Sequence, residues 1–89
     1  MDVLVMSIEE VLRTYTPGSY DWSWEEEFND LETRDFDYLQ ELIEDIRENG
    51  QKDPILLGDD GRVWEGHHRI LVLQTLGQTH IRAAFGFSS

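Results

Sequence analysis

Phe36, Leu39, Leu42, Ile43 and Ile46 recur at three- and four-residue steps, the spacing of one face of an α-helix. Asp35 ahead of them and Gly50 behind them supply an N-cap and a stop, so a helix is predicted over residues 36–49 with that stripe buried. Asp37, Glu41, Glu44, Asp45 and Glu48 fall mostly on its other faces. A second helix is predicted just beyond Gly66, where Ile70, Leu71, Val72, Leu73 and Leu76 form an almost continuous apolar run that Gly77 ends.

Between the two helices the pattern changes to period two. Pro54-Ile55-Leu56-Leu57 reads as a strand with proline at its first position, where a missing N–H is tolerated. The Gly58-Asp59-Asp60-Gly61 turn sends the chain back antiparallel into Arg62-Val63-Trp64-Glu65. Thr79 to Phe85 alternates well enough for a closing strand, and residues 2–6 form a short apolar run of the same kind. Ser7-Ile8-Glu9-Glu10 fits a capping box that opens a two-turn helix, broken by Thr16-Pro17-Gly18-Ser19. The expected class is α+β: a small mixed sheet with two main helices packed on it.

Residues 16–34 show the least regular pattern. Tyr20, Trp22 and Trp24 alternate and would share one face of an extended segment, followed by Glu25-Glu26-Glu27 and Phe28. This stretch is expected to be an acidic-aromatic loop. Either its aromatics fold back over the core, or Tyr20, Trp22 and Trp24 anchor a protein partner, as such residues do at interfaces.

The 89 residues make one domain: an opening strand and short helix (1–15), the acidic-aromatic loop (16–34) and a core (35–89). The absence of cysteine excludes disulfides and zinc–thiolate sites. No apolar run approaches a membrane span and no basic leader opens the chain, so a cytoplasmic protein with no membrane association is expected. Charge is uneven. Residues 1–53 hold 16 acids against 4 bases, whereas residues 54–89 hold three of each, so the net charge of −12 resides wholly in the first part. Without a basic stripe to release counterions, strong non-specific nucleic-acid binding is not expected; the acid excess is either a solvated, solubilising face or a surface that attracts a basic partner protein.

The residue types that carry chemistry gather at 65–69. Gly66 stands at a strand-to-helix corner, with His67, His68 and Arg69 in the first helical turn. Unpaired backbone N–H groups and the positive end of the helix dipole lie there, and a planar guanidinium beside them suits a phosphate. The adjacent His67 and His68 diverge by about 100° on a helix, which disfavours one metal holding both. Glu65, His67 and His80 are a remote zinc set, and no metal site is assigned.

Gly66-His67-His68-Arg69, led in by Asn49-Gly50-Gln51-Lys52-Asp53-Pro54-Ile55, resembles the ParB/sulfiredoxin-like superfamily. Its members carry an N-G-x-x-x-P-I turn, a strand, a hairpin and then a G-E-R-R, G-C-H-R or G-H-H-R box. The likeness implies that Gly66, His67, His68 and Arg69 bind a phosphate or nucleotide, with a nucleoside triphosphate and Mg as the ligand. It also implies a catalytic place for Glu65, by analogy with relatives that phosphorylate free serine, and a residual nuclease or phosphotransfer activity. In the sulfiredoxin branch the position of His67 is the catalytic cysteine, so that branch's sulfinic acid reduction is not expected in this chain. Stand-alone domains of this length resemble those of phages and mobile elements. Two readings stand. One is a nucleotide- or phosphate-binding module; the other is a small acidic interaction protein or inhibitor that keeps the fold and binds a host or partner protein. They separate on Arg69: reachable from solvent in the first, tied internally to Glu65 or Asp53 in the second.

Overall fold

The apolar run at the start of the chain forms β1 (Val3–Ser7), and Ser7 caps α1 (Ile8–Thr14) by accepting from the Glu10 N–H at 3.3 Å. These assignments come from a computed structural model that describes residues 2–18 and 21–86. Thr16 and Pro17, expected only to break the helix, form a two-residue edge strand, β2 (Thr16–Pro17). Proline is tolerated there because an edge strand need not donate on its outer side.

The helix predicted over 36–49 is present with those bounds as α3 (Phe36–Asn49), and Gly50 closes it. Leu39 and Ile46 are buried, while Leu42 and Ile43 are half-buried at the edge of the core. Phe36 departs from expectation: it begins the stripe but is 57% exposed. Asp35 also departs, making no side-chain cap. It is the C-cap of the preceding helix as well as the N-cap of this one, and its backbone (φ −119°, ψ 34°) is not the extended form of an ordinary N-cap.

The largest difference lies at 16–34. Much of the expected loop is a helix, α2 (Trp24–Arg34), opened by a full capping box in which Ser23 and Glu26 bond each other's backbone N–H. Trp24, Phe28 and Leu31 are spaced at four and three residues and turn toward the core. Alternation of the aromatics just before it masked that helical stripe. Tyr20 lies outside the described residues.

The chain closes with β3 (Ile55–Leu57), β4 (Arg62–Glu65), α4 (His67–Thr75) and β5 (His80–Phe85). The five strands form one mixed sheet in the order β1-β5-β3-β4-β2. β1 with β5 and β3 with β4 run antiparallel; β3 with β5 and β2 with β4 run parallel. Ile55, Leu57, Val63 and Ile81 project from the sheet into one core with α4, whose Ile70 and Val72 are almost wholly covered. Each such side chain contributes about 1.5–3 kcal/mol. The class is α+β, as expected. Among the described residues, no helix is long and apolar enough to cross a membrane.

Candidate functional site

β4 ends at Glu65 and α4 starts at His67, so the chain must reverse within one residue. Gly66 does this with φ 110°, in the left-handed region, and a Cβ there would collide with the Ile55 side chain. Glycine offers no side chain to cap the helix, and α4 has no side-chain cap. Ile70 N–H donates to the Gly66 carbonyl at 3.0 Å, so the N–H groups ahead of Ile70 precede the first helical bond. This end of α4 lines an open, mostly polar cleft of about 340 Å³, bounded by Tyr38, Trp64, Glu65 and residues 66–69.

His67 turns inward. Its side chain is only 11% exposed, and its Nδ1 lies 3.4 Å from Oε1 of Glu27, a carboxylate from α2 that is 2% exposed. The other Glu27 oxygen accepts from Trp22 Nε1–H at 2.7 Å. On the far side of the ring, Nε2 meets Gly18 N–H at 3.2 Å and the Val63 carbonyl at 3.0 Å. The imidazole thus stands between β2 and β4 where a ladder bond would otherwise run, and Gly18 makes room because a Cβ there would strike the Val63 carbonyl. The ring can donate to Glu27 from an Nδ1–H or to the Val63 carbonyl from an Nε2–H, and an unprotonated Nε2 can accept from Gly18, so which partners are bonded depends on the tautomer. His67 is therefore the pin between α2, β2 and the corner, and what it can offer the cleft is chiefly its backbone N–H.

His68 and Arg69 face outward. His68 Nε2 lies 3.0 Å from an Asp35 oxygen, and its ring meets Tyr38 edge-on at 5.0 Å. Asp35 thereby spends its carboxylate on His68 and Arg34 rather than on a helix cap. Arg69 keeps 30% of its side chain exposed and pairs with Asp53 at 3.6 Å, a partner that is itself 74% exposed. An exposed pair of that length is worth little, about 0–1 kcal/mol. Arg69 also borders a second shallow cleft with Asp53, Pro54 and Glu65. Glu65 is exposed and carries no ion pair among the described residues. Arg62 is committed elsewhere: it donates to Asp21 at 2.5 Å and to the Pro17 carbonyl at 3.3 Å, and Asp21 pushes its pKa up. Asp60 is a turn former, accepting from Arg62 N–H and Trp64 Nε1–H.

Of the aromatics expected to anchor a partner, Trp22 and Trp24 are engaged internally. Trp24 donates its indole N–H to the Tyr15 carbonyl at 2.8 Å and packs on Phe28 and His67; Trp22 holds Glu27. Among the described residues, no three His, Asp or Glu side chains gather closely enough to hold a metal, and Glu65, His67 and His80 do not converge. Glu27 is the residue the sequence hid, one inward member of an acidic triplet otherwise facing solvent.

Solved structures with this arrangement decide the fold. A pNOB8-like ParB N-domain superposes with TM-score 0.66 over 99% of this chain and 30% of its own, at 17% identity. Sulfiredoxin from Arabidopsis thaliana gives TM-score 0.65 over 99% of this chain and 88% of its own, at 22% identity. The chain has the ParB/sulfiredoxin-like fold. It spans about a third of the length of the ParB N-domain chain it matches. No family model and no curated protein sequence matches it.

Within this fold, residues 66–69 arrive together at one corner, but with unequal parts to play. Gly66 and the helix start shape the cleft, and Arg69 supplies its accessible positive charge. His68 is held at the rim and His67 inside the fold. Glu65 stands beside them on the same rim.

Proposed function

We propose that the corner at residues 66–69 binds a phosphate group, with a nucleotide as the ligand. The observation that supports this most directly is Arg69: a guanidinium whose side chain is 30% exposed beside an uncapped helix start, held among the described residues by one loose ion pair to an exposed aspartate. A phosphate can displace Asp53 at small cost, take the guanidinium in a bidentate pair and accept from backbone N–H groups at the dipole's positive end. Tyr38, half-exposed on the rim, offers an aromatic ring to a base. Glu65 and Asp53 on the rim suit a magnesium ion carried on the phosphates, which would offset their repulsion of the anion. Glu65 is also the group placed to take a proton from a nucleophile if phosphoryl transfer or hydrolysis occurs there.

A panel of nucleoside mono-, di- and triphosphates, melted with and without magnesium, tests the reading. Ligand present at 100 times its Kd stabilises by about 2.7 kcal/mol, roughly 10–20 °C for a domain of this size. A flat response across the panel and to inorganic phosphate would count against it.

A further inference from the structure

A second surface shares no residue with that cleft. The groove between α2, α3 and α4, about 400 Å³, is floored by Leu39, Ile43, Leu71 and Val72, with Phe36 exposed at its mouth and Glu32 on its α2 wall. On α3 the groove row is Phe36, Gln40 and Ile43. About 100° further round the helix, Asp37, Glu41, Glu44 and Glu48 recur at four, three and four residues as one exposed acidic stripe. Residues 24–49 together carry 11 acids and two bases.

We propose that this groove docks a basic amphipathic helix of a partner protein. An apolar trough flanked by carboxylates matches a helix with large apolar residues at i, i+3 or i+4 and i+7, and lysine or arginine on both shoulders. The charge selects this occupant. A second copy would bring its own acidic helices against these, and nucleic acid or an anionic membrane would be repelled as well. Phe36 is the anchor: a large aromatic exposed at the mouth of an apolar trough is the type of residue that carries interface energy.

The test uses the whole chain, labelled with ¹⁵N. It is titrated with a synthetic helical peptide bearing leucines on one face and lysines on its flanks, alongside a scrambled peptide and a glutamate-flanked one. The expected result is saturable binding of the first peptide, with amide shifts confined to residues 32–43 and 71–75. The scrambled and acidic peptides should bind at least about tenfold more weakly. Phe36→Ser should cost roughly tenfold in affinity with only a small change in the melt, because more than half of the residue is exposed. The triple variant Asp37→Lys, Glu41→Lys, Glu44→Lys should lose binding and its salt dependence together. Equal binding of the scrambled peptide would show a diffuse polyanion and overturn the proposal. So would shifts centred elsewhere, no binding of any peptide, or self-association through the same residues.

Discussion

Replacing His67 by alanine should destabilise the fold by about 2–4 kcal/mol. The figure follows from what the imidazole leaves behind. Glu27, nearly fully covered, would keep the Trp22 indole N–H but lose the partner on its other oxygen. Gly18 N–H would lose its acceptor, and Trp24 would lose the ring that meets it edge-on at 5.6 Å. Unsatisfied buried groups cost about 1–3 kcal/mol each, more when charged. At about 4–8 °C per kcal/mol for a domain this small, the melt should fall by roughly 8–30 °C. Differential scanning calorimetry of the parent, His67→Ala, Glu27→Leu and the double variant is the assay. The double variant should melt above His67→Ala, because removing Glu27 removes the stranded carboxylate. A His67→Ala melt within about 2 °C of the parent would show that the histidine is not a structural pin.

Other outcomes follow from the same structure. Leu42→Ala should cost about 1–3 kcal/mol in chemical denaturation, below the range for a fully buried leucine, because Leu42 sits half-covered at the core edge. The crowding of acids on α2 and α3 should make the melt rise on adding salt up to about 0.3 M; a fall would mean attractive ion pairs dominate. Asp45 is held below its ordinary value of 3.8, first by the hydrogen bond with Lys52 and then by that from Asn49. A carboxyl with a depressed folded pKa stabilises above its unfolded value, and the gain is lost as pH falls through the folded one. Lys52→Met should therefore lower the melt slightly at neutral pH, and the two curves should merge at the acid end. Binding to duplex DNA at physiological salt should be about 10⁻⁴ M or weaker by fluorescence anisotropy.

The sequence carried much of this fold because local and tertiary signals agreed over residues 36–85. There the apolar stripe of α3, the turn at Asp60-Gly61 and the glycine at 66 all point to the same elements. At residues 16–34 two patterns competed. Alternating aromatics suggested extension, whereas Ser23 and Glu26, three residues apart, signalled a helix start whose stripe is Trp24, Phe28 and Leu31. The burial of Glu27 was not legible, since an acidic triplet does not reveal which member finds an indole and an imidazole inside. For the same reason the corner was visible as a cluster at 65–69, but not the inward turn of His67 or the meeting of His68 with Asp35, 33 positions away.

The most direct test of the phosphate-binding corner is a calorimetric titration of the parent and Arg69→Ala with the best ligand from the nucleotide panel, paired with melts of both proteins in the absence of ligand. The pair with Asp53 is exposed and loose, so Arg69→Ala should change unliganded stability by less than about 1 kcal/mol. Binding heat should disappear in the same variant, because the guanidinium is the cleft's accessible charge. Unchanged affinity in Arg69→Ala, or a loss of stability of several kcal/mol with no ligand to lose, would contradict the account and make Arg69 a strut of the fold.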